Sequence, residues 1–167
     1  MYHHTLLWVN CTTYDLWCEQ DTVNPLLQPD MMVLSHQEEH SHPYWYAQVI
    51  HIFHVMVQEW ENLASLYSTP ECIDMLFVCW FGWDVNYPSG WSNKWLHCFQ
   101  FFDQESPLHA FGFLDPNLVV QSIHMIPAFG YGQTDKLLGL LQPHQMIDRD
   151  ATDLDWNYYF ANMWVHH

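Results

Sequence analysis

The run PYWYAQVIHIFHVMV, residues 43–57, constrains the fold more than any other stretch of the chain. Read with a period of two, one set is Trp45, Ala47, Val49, His51, Phe53, Val55 and Val57, almost all apolar. The other is Tyr44, Tyr46, Gln48, Ile50, Ile52, His54 and Met56, aromatic and mixed. A half-buried strand alternates apolar with polar, and an amphipathic helix repeats every 3.6 residues. This run does neither. Its β-branched and aromatic content favours one long strand, bent or bulged, with no face given cleanly to water.

The rest of the chain can be read around that strand. MLFVCWF, 75–81, is an apolar run short enough for a second, buried strand. WLHCFQFF, 95–102, predicts a third, NLVVQSIHMI, 117–126, a fourth stopped by Pro127, and WNYYFANMWV, 156–165, a fifth. Asp115-Pro116-Asn117 suits a turn, and TDKLLGLL, 134–141, predicts one short helix. Residues 1–42 carry Pro25 and Pro29 and read as an irregular N-terminal arm, with MMVL at 31–34 as one short strand. Residues 43–167 then form the domain. Short strands with a single helix predict a mainly β fold, a small and partly open β-barrel.

Charge restricts the partners. The 167 residues hold 3 Lys+Arg against 19 Asp+Glu, a formal charge of −16. Such a surface repels phosphate, so nucleic acid is a poor partner, whereas a basic peptide or a chromatin protein fits. The 5 cysteines are odd in number and contain no CxxC, which argues for a reducing compartment rather than a disulfide framework. MYHHTLLWVN lacks a basic n-region, and no apolar run approaches the roughly 18 residues needed to cross a bilayer. The expectation is no membrane and an intracellular chain, nuclear if the partner is chromatin.

Catalytic patterns are weak. His51 and His54 stand three apart, so a regular strand points them to opposite faces and denies them a common ion. Cys11 and Cys18, and Cys72 and Cys79, are seven apart, which is no zinc-knuckle spacing. No GxSxG elbow, P-loop or dinucleotide fingerprint is present, and the Asp148–Asp155 carboxylates read as solvated loop. A metal-dependent enzyme is the weakest reading; the expectation is no catalysis, no cofactor and no metal. The aromatic residues offer more. Trp45, Tyr46, Trp80 and Trp83 could box a methylated ammonium of a basic peptide by cation–π attraction. The competing reading is that these rings are core.

Several stretches together resemble one family: WVNCTTYDLW, QDTVNP, DMMVLSH, HPYWYAQVIHIFHVMV, FVCWFGWD, AFGFLDP, HMIPAFGYGQT and DWNYYFANMWV. In order, and over roughly residues 8–165, they are similar to the C-terminal region of the large proteins encoded by Plavaka-type, CACTA-like fungal DNA transposons. The resemblance implies a non-catalytic accessory or interaction module, because the family's transposase core lies upstream of this region. WYAQVIHIF followed by FVCWF also resembles, more faintly, the strand pattern of bromo-adjacent homology (BAH) domains, which implies a BAH/SH3-like barrel and a histone-peptide reader. The Plavaka resemblance further implies arginine at Trp17, Cys18, Gln48, Cys79, Trp83, Trp95, Cys98, Gln121 and Gln133. Trp, Cys and Gln are each one transition from an Arg CGN codon, so FVCWFGWD is similar to a decayed FVRWFGRD. A decayed fragment is the implied status.

Overall fold

The computed structural model describes residues 1–12, 18–35, 44–58, 69–84, 87, 96–101, 110–134 and 155–162. The 43–57 run is one long strand, β5 (Tyr44–Val57), paired antiparallel with β6 (Glu71–Trp83). Their register shifts between Val49 and His51. That irregularity lets β5 bend, and it inverts which alternate set faces which side.

Residues 1–42 are not an irregular arm. They carry β1 (Tyr2–His4), β2 (Leu7–Thr12), β3 (Cys18–Val23) and β4 (Asp30–Leu34). β2 and β3 form a hairpin, β1 adds to β5, and β4 lies inside the main sheet. Of these, sequence reading anticipates only β4. The polar residues of β2 and β3 hide strands that bury Val9 and Val23.

Beyond β6 come β7 (Cys98–Phe101) and β8 (Phe111–Leu114). The expected fourth strand is broken into a 3-10 turn at Pro116–Leu118, then β9 (Val119–Ser122) and β10 (His124–Pro127). Asp115 caps the turn by accepting from the Asn117 N–H at 2.9 Å. Residues 133–134 and 155–156 pair as β11 (Gln133–Thr134) and β12 (Asp155–Trp156), and β13 (Tyr159–Asn162) follows. Thr134 therefore lies in a strand, and the rest of the helix expected over 134–141 lies outside the described residues.

The hydrogen-bonded path runs β10-β13-β7-β6-β5-β4-β9, with β1 on β5 and β8 on β6 as branches. Laid flat, strands about 4.8 Å apart would hold the two ends of that path about 29 Å from each other. Yet β9 and β10 are separated by Ile123 alone, whose N–H donates to the Asp30 carbonyl at 3.0 Å. The sheet must curl. The protein is mainly β, and its ladders form no closed barrel; backbone at Ile123 ties the ends.

Curling gives the sheet two buried faces. One cluster includes Met32, Tyr46, Ile50, Phe81, Phe99, Phe101, Met125 and Ala161, drawn from strands all along the path. The other includes Val33, Ala47, Val49, Val78 and Leu114, with Val9 and Val23 of the β2–β3 hairpin packed against them. Neighbours in sequence, such as Tyr46 and Ala47, or Val78 and Cys79, go to different clusters. This accounts for FVCWFGWD: β6 is central, both of its faces are buried or half-buried over Phe77–Gly82, and charge returns only at Asp84, just past its end.

Candidate functional site

Trp45 and Tyr46 are adjacent on β5 and so leave opposite faces of the sheet. Trp45 is 42% exposed and meets Trp80 edge to face, ring centres 5.5 Å apart. Trp80 lies across Gly112 of β8, where an added Cβ would stand 2.8 Å from the indole Nε1. Only glycine allows that approach. Tyr46 is 1% exposed, its ring 4.5 Å from that of Phe99. Burial, with Tyr44 adding to it, drives its hydroxyl above the usual phenol range. Trp83 shares the Tyr46 face and sits edge-on to His97 at 4.8 Å. The four candidate cage residues thus divide two and two across the sheet. They form no four-ring box, because a period of two separates neighbours that sequence proximity groups together.

The thiols nearest these rings, Cys79 and Cys98, are buried. Burial pushes Cys79 up to about 12, with the Asp155 carboxylate adding, and Cys98 up to about 11, with Asp84 adding. Cys72, Cys79 and Cys98 are all free, and only Cys72 is exposed.

A concave feature lies at the other end of β6. A groove of about 460 Å³ is lined by Glu71, Cys72, Ile73, Asp74 and Met75 of β6, by Phe113 and Leu114 of β8, and by Asp115 and Asn117. Residues 71–75 pair with β5 along one edge, while β8 pairs with β6 only from Leu76 onward. Among the described residues, the other edge of Glu71–Met75 has no strand partner. Three carboxylates surround it, and the described residues include no lysine or arginine. No local signal in the sequence marks this place, because ECID lies just ahead of the apolar MLFVCWF run.

A second cluster gathers beside it. Tyr2, His54 and Asp74 are consecutive register partners across β1, β5 and β6. The Nε2 of His4 is 2.7 Å from the Nδ1 of His54, and Tyr2 stacks on His54 at 4.9 Å. Ligand atoms of His4, His54 and Asp74 all lie within 4.8 Å of one another. His51 points the other way, toward Phe77 and His3, as the strand period requires.

Within the main sheet, Asp30 of β4 and Cys79 of β6 both stand in register with Gln48 of β5. Burial raises the Asp30 carboxyl to about 7, although the backbone N–H of Met125 pulls the other way. Comparison with family models, with curated proteins and with solved structures finds no match. The chain has no helix among its described residues long and apolar enough to cross a membrane.

Proposed function

We propose that the chain is a non-catalytic interaction module that takes a basic peptide as an added strand along the Glu71–Met75 edge. The acidic groove on an unpaired strand edge carries this reading. Backbone N–H and C=O groups of the edge supply a ladder, Met75 and Phe113 supply apolar contact, and Glu71, Asp74 and Asp115 select for lysine or arginine. The formal charge of −16 steers such a peptide toward the whole surface. On the Plavaka resemblance, this module would be an accessory to a transposase core, and a decayed copy of it. Decay is supported by carboxylates beside the implied arginine positions: Asp30 opposite Gln48, Asp155 near Cys79 and Asp84 near Cys98.

Titration of the full chain with a lysine-rich peptide, at two salt concentrations, tests the reading. Binding that weakens with salt and falls several-fold in Glu71→Gln is the expected result. Equal binding by wild type and variant refutes the groove as the site. The methylated-peptide alternative keeps two of its rings, the Trp45–Trp80 pair, which offers two walls at right angles. A trimethyl-lysine peptide that binds no better than its unmodified twin removes that alternative.

A further inference from the structure

We infer that His4, His54 and Asp74 form a binding site for a divalent transition-metal ion, tying β1 to the β5–β6 pair. Three strands each contribute one donor to the same face. A four-coordinate ion with bonds of about 2.0–2.1 Å places its donors roughly 3.3 Å apart. The 2.7 Å between the imidazole nitrogens is shorter than that, and the 4.8 Å limit of the set is longer. His4 and Asp74 are exposed and His54 half-buried, so side-chain rotation alone can meet the required spacing. The Tyr2 ring, stacked at 29° to His54, holds that imidazole in plane.

Ligand chemistry selects the ion. Two imidazoles and one carboxylate suit Zn²⁺, Co²⁺ or Ni²⁺, whereas Ca²⁺ and Mg²⁺ call for oxygen shells. Three protein donors leave a fourth position for water or an incoming ligand. The neighbouring Glu71 and the formal charge of −16 favour cation entry. β1 has three residues and, among the described residues, pairs with β5 alone, so an ion bridging to Asp74 gives it a second attachment. The site shares Asp74 with the proposed peptide groove, but Glu71→Gln leaves all three donors in place, so the two tests fail separately.

The test is calorimetric titration of tag-free full chain with Zn²⁺, alongside Co²⁺ absorption and melting with and without Zn²⁺. One equivalent of tight binding, a tetrahedral Co²⁺ spectrum and a raised melting temperature are expected in wild type. His4→Gln and Asp74→Asn should each lose at least about tenfold in affinity, since even an outer-shell change costs 10–100-fold. His51→Gln, on the opposite face, should bind like wild type. The two ligand variants lie on different strands, so misfolding of one, seen by circular dichroism, leaves the other decisive. No stoichiometric binding in wild type overturns the inference. Binding that persists in both ligand variants does so too, and assigns the ion to other histidines of the chain.

Discussion

Replacing Asp30 with asparagine should remove a pH dependence that the fold builds in. Burial raises the Asp30 carboxyl from 3.8 to about 7. Because folding raises this pKa, the native state holds the proton more tightly than the unfolded chain does. The stabilisation is complete below the unfolded value and is lost as pH rises through about 7. Over the whole shift this amounts to roughly 4 kcal/mol, at about 1.4 kcal/mol per unit. The accessible window is narrower, because a pI near 4.8 makes acid solutions prone to association. Between about pH 6 and pH 8.5 the linkage leaves about 1.4 kcal/mol. With a urea m-value of about 2 kcal/mol/M, the wild-type midpoint should fall by roughly 0.7 M across that window. The assay is urea unfolding at both pH values, followed by tryptophan fluorescence and by circular dichroism, which must coincide. Every other titrating group is common to both proteins, so the difference between them isolates Asp30. Asp30→Asn should show the smaller fall and should exceed wild type in stability at the higher pH. Midpoints that run parallel in the two proteins would refute the assignment of a buried, proton-holding carboxyl to Asp30.

Two further substitutions probe the same sheet. Gln48→Arg places a cation opposite Asp30, which should lower that carboxyl by about 1–3 units and flatten the pH dependence without removing the acid; an unchanged pH profile would count against the decayed-arginine reading. Gly112→Ala puts a methyl 2.8 Å from the Trp80 indole, so the overlap should outweigh the loss of chain entropy and destabilise by about 1–3 kcal/mol. A urea midpoint equal to wild type would mean that Trp80 does not lie across β8.

Much of the central sheet was legible because strand identity is local. A long run with one apolar and one aromatic, mixed alternate set favours a strand with no face given cleanly to water, and β5 is one, with its irregularity at Val49/His51 where its length called for a bend. β6, β7 and β13 follow from short aromatic and β-branched runs in the same way, although their ends move by several residues. β8 escaped because FGFL is brief and sits next to a strong turn signal. The hairpin β2–β3 escaped because the polar residues of its sequence, LWVNCT and CEQDTV, break up its apolar ones.

The candidate sites divide along the same line. Sequence alone determined the strand-forming stretches of β4, β5, β6, β7 and β13, the acidic balance and the opposite directions of His51 and His54, because composition and a period of two are properties of neighbouring residues. Tertiary structure alone decided that Tyr46 is buried beneath Phe99 while Trp45 faces Trp80 across β5 and β6. It also decided that β8 stops short of Glu71–Met75, and that His4, His54 and Asp74 converge from three strands. Register between distant segments is set by the sum of many side-chain fits across the sheet, and no single stretch of chain carries that sum.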